Sequence, residues 1–366
     1  MLEEKNINME KKFKILSIDG GGIRGVIPCK LLVKAEADLR KRVGKDARLC
    51  DYFDMICGTS TGSIIAIGLA LGLSAEELMK LYENMADEIF PPDRRSWTKK
   101  LSNWMLGQSF YDRYKLRKAL LEAYGRCTPD HDTRLGHALT RVLVPSYNGE
   151  TGEMYVFKTA HTIDLLRDYQ VPAMAVALAS SAAPMFFRPY SFTYAKKGTK
   201  ERCVFRNMVD GGVAANNPAF LGVAEAVRSL GVPLKNISLL SLGTGSVDYM
   251  VCTNHDRLTP HFWSDPISSE SMRLFNALGA VQSRDVHEKL YLLQNGLEDC
   301  GEKKFEYLRV QHVFKSKDFI ELDDASKESI LKMALIGLQL YDDHAEEIQH
   351  KFLQEKKADF VPVAMP

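Results

Sequence analysis

The chain has 366 residues, of which 45% are hydrophobic and 26% charged, and this ordinary globular composition excludes a disordered, collagen-like or coiled-coil protein. Its 48 Lys and Arg residues almost balance 47 Asp and Glu residues, so no overall positive field indicates a nucleic-acid-binding protein, and we expect no DNA or RNA partner. Any attraction to an anionic surface must come from a local patch.

The seven cysteines are scattered, with no C-x-x-C pair and no metal-ligand spacing with histidine. We therefore expect free buried thiols, as in a reducing compartment, and neither a disulfide framework nor a metal site. The first residues lack the pattern of a signal peptide. The longest apolar stretch, 64–73, has 10 residues, and about 20 are needed to span a bilayer. We expect a cytoplasmic protein that contacts membranes only peripherally.

Short apolar runs typical of β-strands alternate along the chain with patterns of helical periodicity. The third helix opens with a capping box, Ser74-Ala-Glu-Glu77, in which hydroxyl and carboxylate satisfy each other's backbone donors. The predicted strands cover 13–18, 52–57, 141–144, 155–159, 203–209, 237–242 and 307–313. The predicted helices cover 26–42, 61–71, 74–88, 112–124, 172–182, 218–230, 268–293 and 326–352.

This alternation predicts an α/β fold with a central, mainly parallel sheet that helices cover on both faces. No linker or repeat divides the chain, so we expect a single domain over 12–350 and a tail at 351–366. Within that domain, the motif-bearing core spans 14–245 and a C-terminal helical part spans 268–355. Surface insertions, where lids and ligand contacts tend to lie, are expected at 90–107, 196–202 and 249–269.

A run of glycines, Asp19-Gly20-Gly21-Gly22-Ile23-Arg24-Gly25, joins the first predicted strand to the first helix. Its G-x-G-x-x-G spacing matches the dinucleotide-binding fingerprint. That fold needs an acidic residue at the end of the second strand, and here the acids lie at its start. A tight turn alone would not need three successive glycines and an arginine. Such glycines present backbone amides to a negative oxygen, including one that forms during a reaction.

The second motif, Gly58-Thr59-Ser60-Thr61-Gly62, also lies between a predicted strand and a predicted helix. Its spacing is that of the nucleophile elbow, in which flanking glycines permit a sharp turn that projects the serine hydroxyl above the sheet. The helix N-terminus behind the serine favours negative charge. A plain helix N-cap is the alternative interpretation of Ser60.

A nucleophilic Ser60 needs a base. None of the nine histidines falls in a convincing loop at a strand end, so a Ser-His-Asp triad is not favoured. Asp210 follows a predicted strand in Val209-Asp210-Gly211-Gly212, and its carboxylate can accept the hydroxyl proton directly in a two-residue dyad. The alternative for Asp210 is a structural cap in an Asx-turn.

Together, these three motifs resemble the patatin-like phospholipases, lipid acyl hydrolases that use a Ser-Asp dyad. The likeness runs from Lys14 to Gly245 and includes three secondary blocks, at 108–112, 179–186 and 241–245. The resemblance implies a three-layer α/β/α fold and catalysis without a cofactor or metal. It implies Ser60 as nucleophile, Asp210 as general base, and an oxyanion hole of backbone amides, supported by Arg24, at Gly20, Gly21 and Gly22.

Within the family, the opening from Lys14 to Pro28 is similar to bacterial members that act as effectors of CBASS anti-phage systems. That likeness implies activation by a cyclic dinucleotide such as cyclic GMP-AMP, hydrolysis of the phospholipid bilayer at the inner membrane surface, and homo-oligomer formation on activation. Two other interpretations stay open: a constitutive lysophospholipase or esterase, and a non-catalytic nucleotide-binding module.

The segment from Arg94 to Trp104 mixes cationic side chains with two indole rings. This composition suits stacking on purines and pairing with phosphates. It equally suits docking on an anionic bilayer, or a solvated basic loop with no ligand.

Overall fold

The computed structural model describes residues 11–91, 106, 108–247, 273–299, 305–315 and 318–366. The helices of this part are α1 (Val26–Val43), α2 (Thr61–Ala70), α3 (Ala75–Ile89), α4 (Tyr114–Gly125), α5 (Ala173–Ser180), α6 (Gly212–Ala215), α7 (Ala219–Leu230), α8 (Arg273–Asp299) and α9 (Lys327–Lys351). The strands are β1 (Phe13–Ile18), β2 (Met55–Gly58), β3 (Arg141–Asn148), β4 (Glu153–Lys158), β5 (Tyr190–Ala195), β6 (Arg202–Val209), β7 (Ile237–Leu242), β8 (Ser246–Val247), β9 (Glu306–Val310) and β10 (Val313–Phe314).

The central sheet has the strand order β5-β6-β3-β2-β1-β7-β9, with β4 also paired to β3. The pairs from β3 through β2, β1 and β7 to β9 are all parallel, whereas β4, β5 and β6 form antiparallel pairs at one side. The mainly parallel sheet predicted from the sequence is therefore confirmed. In a parallel arrangement the carboxyl ends of β1, β2 and β7 meet at one edge, and ligand sites form there.

Two hydrophobic cores lie on opposite faces of the sheet. Leu16 and Ile18 of β1 belong to one core, which includes side chains of α1, α2, α5 and α9, whereas Ile15 belongs to the other, with α7 and α8. Successive side chains of a strand point to opposite faces, so both faces of β1 are buried. This explains why the central strands appear in the sequence as continuous apolar runs, and it confirms the three-layer, single-domain fold.

The structure differs from the predicted elements mainly at the antiparallel side. Strand β5 was not predicted, because its half-exposed residues alternate and its pairing with β6 is a long-range contact. The strand predicted at 307–313 is instead divided into β9 and β10, and β10 pairs with β8. The predicted insertions at 90–107 and 249–269 lie largely outside the described residues, as does the segment from Arg94 to Trp104.

The last residues pack against the amino-terminal edge of the sheet. Phe352 and Leu353 are buried, and the Lys14 Nζ donates a hydrogen bond of 3.0 Å to the Phe352 carbonyl oxygen. Further on, the Val363 amide donates to the Ala160 carbonyl at 2.8 Å. The C-terminal residues thus contact the body of the domain well after α9 ends.

All five cysteines that the structure describes are free thiols; Cys29, Cys50 and Cys57 are buried, as expected, whereas Cys127 and Cys203 are partly exposed. In the same part of the chain, no three His, Cys, Asp or Glu side chains are grouped so that they could hold a metal ion. None of the helices within the described ranges has the length and apolar character needed to cross a membrane.

Candidate active site

Ser60 lies in a sharp turn between β2 and α2. Its backbone has φ 52° and ψ −124°, a conformation that non-glycine residues rarely adopt. The turn brings backbones close together: a Cβ atom on Gly58 would lie 2.2 Å from the Gly62 carbonyl oxygen, and one on Gly62 would lie 2.3 Å from the Ile18 carbonyl oxygen. Only glycine fits at either position, which explains the G-x-S-x-G spacing.

The structure brings Ser60 and Asp210 together, although 150 positions separate them in the sequence. The Ser60 hydroxyl donates a hydrogen bond of 2.6 Å to Oδ2 of Asp210, and the Gly212 amide donates one of 2.7 Å to Oδ1. Both side chains are buried, Asp210 to 1% exposure. A carboxylate in this position can accept the hydroxyl proton as the oxygen attacks an electrophile.

Burial raises the pKa of Asp210 to about 7, because the charged form is excluded from water; the hydrogen bonds from Ser60 and Gly212 favour the charged form and only partly offset this. A general base is most effective when its pKa lies near the working pH. The environment of Asp210 therefore tunes this carboxyl group toward proton transfer near neutral pH.

Ser180, at the end of α5, holds the elbow in place and was given no role by the sequence analysis. Its Oγ accepts a 3.0 Å hydrogen bond from the Ser60 amide and donates one of 2.7 Å to the Pro145 carbonyl. The Gly211 amide, next to Asp210, donates to the Ser180 carbonyl. This single buried serine therefore connects the turn that holds Ser60 with the turn that holds Asp210. In the sequence, its place in the block 179–186 was the only signal for it.

The glycine run between β1 and α1 lies directly against Ser60, since a Cβ on Gly20 would come within 3.2 Å of the Ser60 Cβ. The predicted oxyanion hole included the Gly20 amide. In the structure this amide donates to the Asn216 carbonyl at 3.0 Å, so it is not available to an oxyanion. The amides of Gly21 and Gly22 have no hydrogen-bond acceptor among the residues that the structure describes. A Cβ on Gly21 would lie 2.2 Å from the Thr244 Oγ1, so a side chain there is excluded.

Arg24 is buried at the start of α1 and lines the same pocket as Ser60. Its guanidinium lies 4.9 Å from the centre of the Phe319 ring, a cation–π arrangement, and its amide donates to the Gly21 carbonyl at 3.1 Å. These contacts connect Arg24 with the glycine loop and with Phe319.

Ser60 and Asp210 line an open pocket of about 1120 Å³, a volume that includes the solvent-filled space at its mouth. Gly21, Gly22 and Thr244 line it beside the two polar side chains. Most of the remaining wall is apolar, with contributions from Ile64, Tyr82, Ile89, Phe90, Leu116, Phe186, Phe187, Phe275, Phe319 and Leu322. A few convergent polar groups in an apolar cleft are typical of a site for a largely hydrophobic ligand.

None of the histidines in the described ranges lines this pocket. His161 is buried elsewhere, with its Nε2 3.0 Å from Glu225, and His287 contacts the Tyr307 hydroxyl. His255 and His261 lie outside the described residues. The partner of the Ser60 hydroxyl in the structure is therefore a carboxylate.

Comparison with known proteins identifies the family. The sequence profile described as patatin-like phospholipase matches residues 16–222. The chain belongs to the patatin-like phospholipase family. Among its relatives is a cGAMP-activated phospholipase of Escherichia coli (strain TW11681), 31% identical over 97% of this chain and 94% of that protein. Others are a cGAMP-activated phospholipase of Vibrio cholerae, 30% identical over 91% of each chain, and patatin group D-2 of Solanum tuberosum, 29% identical over 91% of this chain and 84% of that protein.

Arg309 and Ser283, which lie beyond the part of the chain that matches the family profile, contact Asp19 at the start of the glycine loop. Arg309 on β9 contacts both carboxylate oxygens of Asp19, at 2.9 and 2.6 Å, and Ser283 on α8 donates to the same carboxylate at 2.5 Å. The Arg309 and Asp19 side chains are 7% and 2% exposed. The sequence analysis missed Arg309 and Ser283, because neither lies in a recognisable motif.

Proposed function

We propose that this protein is a lipid acyl hydrolase that cleaves membrane glycerophospholipids through an acyl-enzyme on Ser60. The observation that carries the proposal is the 2.6 Å hydrogen bond from the Ser60 hydroxyl to the buried Asp210, formed in an apolar pocket. Family membership supports a phospholipase activity, and so do the two bacterial relatives, which are both named cGAMP-activated phospholipases.

In the first half-reaction, the Ser60 Oγ attacks the ester carbonyl carbon while Asp210 accepts the hydroxyl proton. The tetrahedral intermediate collapses, the bond to the glycerol oxygen breaks, and the proton passes from Asp210 to that oxygen, so that a lysophospholipid leaves. In the second half-reaction, Asp210 takes a proton from water, the hydroxide attacks the acyl carbon, and the fatty acid leaves as Ser60 regains its proton. These steps use only groups of the chain and water.

The amides of Gly21 and Gly22 are the proposed donors to the oxyanion of both tetrahedral intermediates. The amides on either side of this pair already have acceptors. The Gly20 amide donates to the Asn216 carbonyl oxygen, and the Ile23 amide donates to the Leu322 carbonyl oxygen. Such donors contribute about 2.7–4 kcal/mol each to transition-state stabilisation. Arg24 supports the loop without donating to the substrate in this scheme.

The proposed activator is a cyclic dinucleotide such as cyclic GMP-AMP, and activation is accompanied by homo-oligomer formation. The support is that relatives covering nearly the whole chain in E. coli and V. cholerae are named cGAMP-activated phospholipases. The proposed place of action is the inner surface of the cytoplasmic membrane, where the protein, itself cytoplasmic, binds peripherally. The role in anti-phage defence rests on the same relationship.

The outer face of α4 is the proposed contact with the bilayer. Steps of 100° per residue place Tyr114, Arg117, Lys118 and Leu121 on one side of this helix, and all four are exposed, Tyr114 to 59% and Leu121 to 41%. The opposite side carries Leu116, which lines the pocket. Cationic side chains interspersed with an aromatic and an aliphatic residue complement anionic head groups and the interfacial layer below them.

Hydrolysis of defined phospholipid vesicles, with and without cyclic GMP-AMP, tests the proposal. We expect the wild type to release fatty acid when the nucleotide is present, and Ser60→Ala to release none while keeping the wild-type thermal stability within a few degrees. A serine-directed fluorophosphonate should label the wild type at Ser60. Full activity without nucleotide would instead establish the constitutive lipase, and nucleotide binding without any labelling or hydrolysis would establish the non-catalytic binding module.

Charge reversal tests the bilayer contact separately. Arg117→Glu with Lys118→Glu should weaken sedimentation with anionic vesicles and lower vesicle hydrolysis, while hydrolysis of a soluble short-chain ester stays unchanged. The matched control reverses two positive charges on a different helix, α9, with Lys332→Glu and Lys351→Glu. Equal loss of vesicle binding in both pairs would mean that overall charge, and not this face of α4, determines membrane binding.

A further inference from the structure

The Asp19 carboxylate lies where β1 passes into the glycine loop, and four described elements meet there. Arg309 of β9 reaches across β7 with both terminal nitrogens, and its Nη1 also donates to the Ser241 Oγ of β7 at 2.8 Å. Ser283 of α8 accepts a 2.9 Å hydrogen bond from the Arg309 Nη2 while it donates to Asp19. Arg309 thus joins β1, β7 and α8 through one planar group.

Backbone hydrogen bonds of Asp19 and of the next residue, Gly20, also hold the start of the loop. The Asp19 amide donates to the Leu242 carbonyl at 3.0 Å, and the Gly20 carbonyl accepts a 2.6 Å hydrogen bond from Thr244. Because consecutive peptide planes share Cα atoms, a shift of Asp19 moves the Gly21 and Gly22 amides two and three residues on. The hydrogen bonds to the Asp19 carboxylate therefore fix the start of the segment that carries the free amides of Gly21 and Gly22.

Stability alone does not explain a buried ion pair, since the cost of removing two charges from water offsets most of their attraction. A guanidinium that binds a carboxylate with two parallel hydrogen bonds fixes orientation as well as distance, which a lysine cannot do. We infer that Arg309 is a positioning residue, which sets the oxyanion-binding amides of Gly21 and Gly22 by orienting Asp19. It lies beyond the part of the chain that matches the family profile.

This inference rests on the proposed function, because it assigns Arg309 to the oxyanion site of that reaction. Its test uses Arg309→Lys, which keeps the charge but not the paired hydrogen bonds, and Arg309→Met as a second variant. The readouts are kcat and KM for a soluble ester, the rate of Ser60 labelling by a fluorophosphonate, and the unfolding midpoint. The control is Glu225→Gln, which breaks the ion pair of another buried carboxylate with a partly exposed lysine, Lys158, away from the pocket.

We expect Arg309→Lys to lower kcat and the labelling rate about 10²-fold, the scale of a misplacement of about 1 Å, with KM nearly unchanged. Glu225→Gln should lose stability and retain its rates, so that a loss of stability alone is separated from a loss of rate. If Arg309→Lys and Arg309→Met label Ser60 at the wild-type rate, the inference is wrong. All variants are compared with cyclic GMP-AMP present, and if the wild type itself is then not labelled, the proposed function fails, which is a different result.

Discussion

Replacement of Asp210 by asparagine should make the protein inactive and, above neutral pH, more stable. Asparagine preserves the size of the side chain: its one oxygen can keep the hydrogen bond from the Gly212 amide, and its NH2 group can donate to the Ser60 Oγ, but it cannot take up a proton. Loss of a general base lowers rates by about 10²- to 10⁴-fold. The gain in stability has a separate cause, the removal of a buried charge.

The magnitude follows from the pKa of Asp210, which burial raises from 3.8 to about 7. The folded state therefore holds this proton more tightly than the unfolded state, and the wild type loses stability as the pH rises from about 4 to about 7. A shift of about three pKa units corresponds to about 4 kcal/mol at most. Asp210→Asn should show no advantage at about pH 4, and its full advantage should appear above about pH 7.

Urea denaturation of the wild type and Asp210→Asn at about pH 4 and pH 8 measures this difference. Glu225→Gln is a control of opposite sign: burial disfavours the Glu225 charge, but hydrogen bonds from His161 and Lys158 outweigh that effect and lower its pKa to about 2. Glu225→Gln should therefore be less stable than the wild type at pH 8. An Asp210→Asn advantage that is equal at both pH values would refute the assignment of the buried charge to Asp210.

Three further outcomes are expected. In the wild type, kcat/KM should rise with pH to a plateau with a midpoint near pH 7, because the base must be ionised; a profile flat from about pH 5 to 9 would contradict this. Gly21→Ala should nearly abolish fluorophosphonate labelling, because its Cβ would meet Thr244 at 2.2 Å and displace the loop; a normal labelling rate would argue against the oxyanion role. Ser180→Ala should cost about 1–3 kcal/mol in urea denaturation and also lower kcat, because the Ser60 amide and the Pro145 carbonyl lose a buried partner; unchanged stability would show that water replaces the hydroxyl.

The sequence was sufficient for the features that depend on local chemistry. The elbow at Ser60 follows from two glycines that each avoid a collision with backbone atoms, and such a requirement is visible in five consecutive letters. The central strands could be predicted because both faces of β1 and β7 are buried, which leaves continuous apolar runs. The family could be identified for the same reason, since its three motifs are short and contiguous.

Long-range contacts decided the rest. Strand β5 exists because β6 pairs with it, and the Gly20 amide is occupied because the chain returns with Asn216 some 200 residues later. The pKa of Asp210 is raised by the neighbours that bury it, and no neighbouring residue in the sequence reveals that burial.

The sequence by itself pointed to the residues that we propose carry the chemistry: a serine in a turn that only glycines permit, an aspartate at a strand end and a run of glycine amides. Only the tertiary structure decided which of those amides stay open, how strongly the aspartate holds its proton, and that Arg309 holds the loop through Asp19. The physical reason is that hydrogen-bond occupancy and desolvation depend on residues far apart in the chain, whereas turn sterics depend on adjacent ones.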